Sequence, residues 1–144
     1  MFWDSSALVP LLLPEARSNE MTTIIRSGAT PVFWWGSPVE CKSAIYRRHR
    51  ENPLPRAMLE TALQRLELLV DHSDTIAATE DVRRRAGRLL AVHPLRAADA
   101  LQLAAALVFC EDDPTGESFV CLDDRLRDAA LSEGFQLLPS ESLP

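Results

Sequence analysis

Four carboxylates carry the chemical interest of this sequence: Asp4, Glu40, Asp99 and Asp123. They are remote along the chain, and each stands at a predicted element boundary. Asp4 ends the short apolar strand Met1-Phe2-Trp3, and Asp123 follows the apolar run Phe119-Val120-Cys121-Leu122. Glu40 and Asp99 each fall in the first turn of a predicted helix. If these groups converge, they repel. Two carboxylates about 4 Å apart cost roughly 1 kcal/mol in water and about 4 kcal/mol at an effective dielectric of 20. A hard divalent cation removes that cost. An all-oxygen ligand set with retained waters suits Mg²⁺ or Mn²⁺. Such an ion acidifies water and stabilises charge on a phosphoryl oxygen, which is the chemistry of phosphodiester hydrolysis.

Each acid also has a plainer use. Glu40 completes a capping box with Ser37, Asp123 and Asp124 suit a helix N-terminus, and Asp4 suits a cap. Asp99 is harder to dismiss. Aspartate is a poor helix former among Ala97, Ala98, Ala100, Leu101 and Leu103, and burying it unpaired is costly.

The elements that must position these acids alternate between short strands and longer helices, which predicts an α/β sandwich with a mostly parallel sheet. Ser5 and Ser6 are placed to cap a helix through Leu13, with Pro10 early in it. A second helix is expected over Glu15 to Arg26, closed by Gly28. Thr30 to Trp35 reads as the second strand, followed by a helix with Ser37 as N-cap and Pro38 at the first position, stopped at Asn52-Pro53. Further helices are expected over Pro55 to Val70, Thr79 to Leu90, Arg96 to Phe109 and Asp123 to Gly134, with a last edge strand over Phe135 to Leu138. In an open parallel sheet the ligand crevice forms outside the carboxyl ends of the strands. Asp4, Glu40 and Asp123 all stand where strand gives way to helix, so this topology allows the acids to meet.

A length of 144 residues suits a single domain, 1–144, with one core. The net charge of −6 argues against a nucleic-acid coat protein but not against a nuclease, whose local negative charge holds a metal. The apolar runs are too short to span a bilayer, and Met1-Phe2-Trp3-Asp4 lacks the basic start of a secretory signal, so no membrane association and a cytoplasmic location are expected. Cys41, Cys110 and Cys121 are widely spaced and odd in number, and read as buried reduced thiols.

Three segments resemble the ordered motifs of PIN-domain proteins: Phe2-Trp3-Asp4-Ser5-Ser6-Ala7-Leu8-Val9, then Leu95 to Ala106 around Asp99, then Phe119 to Leu126 around Asp123. Their order and spacing, and the total length, resemble the VapC toxins of bacterial toxin–antitoxin pairs. The resemblance implies a PIN-like three-layer α/β/α sandwich, dependence on Mg²⁺ or Mn²⁺, endonucleolytic cleavage of RNA, and inhibition by a cognate small antitoxin. Asp4 and Asp99 match the firmest metal acids of that family, Glu40 the acid after the second strand, and Asp123 the acid of the last motif, with Asp124 one residue away as the competing assignment. Cys121 replaces the usual Thr or Ser, and Gln102 stands where His is frequent.

Around this set, Ser5 and Ser6 are candidates to bond a ligand carboxylate or phosphate, and Arg96 to contact phosphate or the antitoxin. Arg47, Arg48 and Arg50 either guide RNA or form a solvated basic helix end. Arg83, Arg84, Arg85 and Arg88 read as a wet face. Trp34 and Trp35 point to opposite faces, so at least one is core or interface even if the other stacks a base. Leu8, Leu11, Leu12 and the Pro55–Val70 helix are candidates for an antitoxin groove or a homodimer face. The competing readings are a PIN-fold nuclease acting on DNA or in RNA processing, and a catalytically silent binding module.

Overall fold

The computed structural model describes residues 1–140. Its elements run β1 (Phe2–Trp3), α1 (Ser5–Leu12), α2 (Ser18–Ser27), β2 (Val32–Trp34), α3 (Ser37–Glu51), α4 (Arg56–Asp71), β3 (Asp74–Ile76), α5 (Glu80–Val92), α6 (Ala97–Phe109), β4 (Ser118–Val120), α7 (Asp124–Glu133) and β5 (Gln136–Leu138). The five strands form one sheet in the order β3-β2-β1-β4-β5, and every pairing is parallel. The expected mostly parallel sheet is thus wholly parallel. Among the described residues no helix is long and apolar enough to cross a membrane.

Strand alternation divides the core into two layers of packing. Phe2, Val32, Trp34 and Phe119 face α5, α6 and α7, whereas Trp3, Phe33 and Val120 face α1 to α4. The result is helices on both sides of a sheet buried on both faces, as parallel sheets require. Helix α6 is exposed at its first turn and buried from Ala100 onward, apart from half-buried Leu101, Val108 and Phe109. Its alanines, Ala100, Ala104, Ala105 and Ala106, are completely buried, and their small side chains let α6 sit close to α5, β2 and β3. Phe2 and Phe119 stack at 5.5 Å across the central strands, and Phe135, just before β5, packs on Phe119.

Several boundaries differ from the sequence expectation. Strand β3 was not anticipated: Asp74 and Thr75 are exposed, so this edge strand carries no apolar alternation to betray it. Helix α2 begins at Ser18, not Glu15. Gly28 ends it, but at φ −105°, without the left-handed turn of a glycine cap. Pro10 falls inside α1 and not in its first turn. Gly36, not Ser37, is the N-cap of α3, and no side chain caps that end, so the capping box of Ser37 and Glu40 does not form. Gly36 is required by close approach, since a Cβ there would stand 2.6 Å from Trp34 Nε1.

The chain leaves β1 toward β2 and β3 on one side, then returns to place β4 and β5 on the other. The strand order therefore reverses between β1 and β4. That switch point, at the carboxyl ends of the strands, is where such sheets open a crevice. Asp4 directly follows β1, and Asp123 follows β4 by three residues.

Candidate active site

Asp4 is both a helix cap and a cleft residue. It is the N-cap of α1, and its Oδ2 accepts the Ser6 backbone N–H at 3.0 Å and the Ser6 hydroxyl. Ser5 and Ser6 are therefore first-turn residues and not the cap. The same Ser6 Oγ accepts the backbone N–H of Leu122 at 2.9 Å. One hydroxyl thus joins the segment after β1 to the segment after β4. Cys121 Sγ stands 3.6 Å from Asp4 Oδ2, a weaker contact than an oxygen donor would make. Burial pushes the Cys121 thiol well up and the Cys41 thiol up to about 12, so both are inert neutral thiols beside the acids.

Burial pushes the Asp4 carboxyl up to about 6, against the opposing pull of the Ser6 bonds, and the charges of Glu40 and Asp99 raise it further. Glu40 lies in the first turn of α3, and its Oε2 accepts the Ser5 hydroxyl at 2.7 Å. Its pKa is also raised, chiefly by burial, with Ser5 and Gln102 pulling it down and Asp99 pushing it up. Gln102 is itself fully buried on α6 and bonds Ser37 at 3.0 Å. That bond uses the Ser37 hydroxyl that the capping box would have needed.

Asp99, in the first turn of α6, is raised first by burial and then by Asp123, while Arg96 and Arg125 oppose the rise. Asp123 caps α7, its Oδ1 accepting the Leu126 N–H at 2.9 Å. Its other oxygen is left to the cleft. Asp124, the first helical residue of α7, does not line the cleft.

Asp4, Ser5, Ser6, Glu40, Arg47, Arg48, Arg96, Asp99 and Asp123, all singled out from the sequence, line one cleft of about 620 Å³, whereas Arg50 does not line it. Glu15 and Glu51 also line it and were not singled out from the sequence. Glu15 was read as helix, and Glu51 carries no signal apart from its neighbours. Among the described residues, none of the four acids is in a salt bridge. The Arg83–Arg88 run is instead consumed by ion pairs with Glu80, Asp81, Asp112 and Glu133, as a wet face should be. Trp34 is buried at the end of β2, whereas Trp35, expected to be in the strand, lies in the turn after it and is 62% exposed.

The donors fit a hard cation. They are oxygens only, neighbouring carboxylates raise the pKa of Asp4, Glu40 and Asp99, and no cationic side chain pairs with the four among the described residues. They do not form a closed cage, for among the described residues no three His, Cys, Asp or Glu side chains converge closely enough to hold one ion. That openness suits a metal bound by one or two carboxylates with water completing its shell.

No protein-family model matches the chain. It is 28% identical over 144 residues to ribonuclease VapC45 of Mycobacterium tuberculosis strain CDC 1551 / Oshkosh and to ribonuclease VapC49 of strain ATCC 25618 / H37Rv, covering 100% of this chain and 98% of each relative. These relatives are VapC ribonucleases. The VapC likeness read from three short motifs therefore extends along the whole chain, and the α/β architecture with its parallel sheet accords with it.

Proposed function

We propose that this protein is a Mg²⁺- or Mn²⁺-dependent endoribonuclease, the toxin of a toxin–antitoxin pair, acting in the cytoplasm. The observation that carries the reading is the cleft itself: Asp4, Glu40, Asp99 and Asp123, from four separate segments, line one crevice with no cationic side chain paired to any of them. The names of the full-length relatives supply the ribonuclease class.

One or two cations would be held by Asp4, Asp99 and Asp123, each ion by no more than two of these carboxylates with water completing its shell, and with Glu40 beside them. Bound there, the ion supplies the positive charge that draws a phosphodiester in and stabilises its transition state. Ser6 fixes the Asp4 carboxylate, and Ser5 fixes that of Glu40. Arg47, Arg48 and Arg96 bring the phosphates of the strand to a protein that is otherwise acidic. Water attacks phosphorus in line, and the opposite P–O bond breaks.

An apolar groove of about 330 Å³ between α1, α2 and α4 is lined by Leu11, Leu12, Ile25, Leu68 and Leu69 with Arg26 and Arg65 at its edge. It supports an antitoxin helix whose apolar face fills the groove and whose acids meet the arginines.

The test is cleavage of matched RNA and DNA oligonucleotides with Mg²⁺, Mn²⁺ or EDTA. Asp99→Asn should lower RNA cleavage by orders of magnitude with an unchanged circular dichroism spectrum. Full activity in Asp99→Asn or in EDTA would remove the proposal, and equal cleavage of DNA would remove the RNA assignment. Absence of Mn²⁺ binding in a calorimetric titration would favour the silent module.

A further inference from the structure

Arg127, on the inner face of α7, is only 6% exposed. Leucine or alanine would fill that position on a buried helix face without the cost of burying a charge. The guanidinium has a specific use. Its Nη1 donates to the carbonyl of Cys121 at 2.8 Å and to that of Leu138 at 3.4 Å, and its Nη2 donates to the carbonyl of Pro139 at 2.8 Å. These carbonyls lie at the carboxyl ends of β4 and β5. Charge-assisted bonds of this kind are among the stronger ones available to a side chain.

Cys121 is the hinge between β4 and Asp123. Its backbone N–H donates to Leu138 O at 3.0 Å, so one peptide of β5 receives both Cys121 and Arg127. The two residues beyond are held as well: Leu122 N–H by Ser6, and the Asp123 side chain by the N–H of Leu126. Within this set Arg127 alone grips the Cys121 carbonyl, and that group sets the direction in which the chain leaves the sheet. Arg127 does not line the cleft.

We propose that Arg127 is the positioning residue for Asp123: from behind the cleft it locks the Cys121–Asp123 segment onto β5 and so aims the Asp123 carboxylate at the other acids. The proposal rests on the ribonuclease reading for its functional consequence, and on main-chain geometry for its mechanism.

The experiment uses the full chain with Arg127→Lys and Arg127→Met, each alone and combined with Asp123→Asn. Partners that orient metal ligands typically change affinity or activity by about 10–100-fold. Arg127→Met should lower RNA cleavage and Mn²⁺ affinity in that range, and Arg127→Lys should recover part of the loss. In the Asp123→Asn background the same changes should cost less than about 3-fold, because the carboxylate they aim is gone. Amide hydrogen exchange in metal-free protein gives a readout apart from catalysis. The Leu122 and Leu126 amides should exchange faster in Arg127→Met, while the amides of α5 and α6 stay protected. An equal loss in both backgrounds, unchanged exchange at Leu122 and Leu126, or failure of both single variants to fold would each overturn the proposal in favour of a purely structural arginine. If Asp99→Asn is inactive while any of these occurs, the positioning idea fails alone. If Asp99→Asn is fully active, it is the ribonuclease reading that fails.

Discussion

Burial of Asp4 beside Glu40 and Asp99 lifts its carboxyl from 3.8 to about 6, so the folded protein binds that proton more tightly than the unfolded chain does. The associated stability is fully present below about pH 4 and is lost as the pH rises through 6. For a group this buried the loss approaches about 3 kcal/mol. Metal-free protein should therefore melt higher at pH 5 than at pH 7 in EDTA. Mn²⁺ should recover the difference at pH 7, and Asp4→Asn should flatten the dependence. A metal-free melting temperature that rises between pH 5 and 7 would contradict this account. Asp112 and Glu133, whose pKa values are lowered, act in the opposite sense, but their contribution is lost only as the pH falls below their ordinary values of 3.8 and 4.5. Ser6→Ala removes a donor from Asp4 and leaves the Leu122 N–H without its acceptor. We expect a loss of about 1–3 kcal/mol in chemical denaturation and a drop in Mn²⁺ affinity of about 10-fold or more. At this scale the sequence was informative where a residue's type and boundary position agreed, as for the four acids. It was silent on Arg127, which cannot be told along the chain from its exposed neighbour Arg125. It was silent too on the Ser37–Gln102 pair, whose partners are 65 residues apart.

The helices were legible because their apolar spacing persists over several turns, and a packed layer decides more than any single boundary residue. Caps were legible only in part: Asp4 and Asp123 were both readable as helix-end acids and both cap, but Asp4, Ser5 and Ser6 are all good cap residues and only the backbone angles select Asp4. Strand β3 was illegible for a different reason. It is a three-residue edge strand, and its register is imposed by β2 through pairing of Val32 with Asp74 and Trp34 with Ile76. The turn from β2 into α3 is more demanding. Gly36→Ala would drive a methyl group into the rigid Trp34 indole. Overpacking of this kind costs about 1–3 kcal/mol. It should also displace the start of α3, and with it Glu40, so thermal stability and cleavage should fall together. A fully stable and active Gly36→Ala protein would show that the indole yields easily. In α6, Leu103→Ala opens a cavity among fully buried neighbours and should cost about 2–5 kcal/mol.

Across the whole molecule, a net charge of −6 opposes polyanion binding, so attraction must be local to the cleft. Arg47 and Arg48 should each contribute about one unit to the slope of log affinity against log salt for RNA binding by the Asp99→Asn protein. Replacing both with alanine should flatten that slope by nearly two, and an unchanged slope would place the strand elsewhere. The homodimer face that the sequence suggests is testable by light scattering. The placement of the acids was readable at this scale because a parallel sheet puts every strand's carboxyl end on one side, whatever lies between the motifs. The same sheet has two margins, β3 and β5, of three residues each. A neighbouring molecule meeting either border finds only a stub of free peptide groups, too short to extend into a shared ribbon. Copies of this chain that accumulate should therefore not knit together by their backbones.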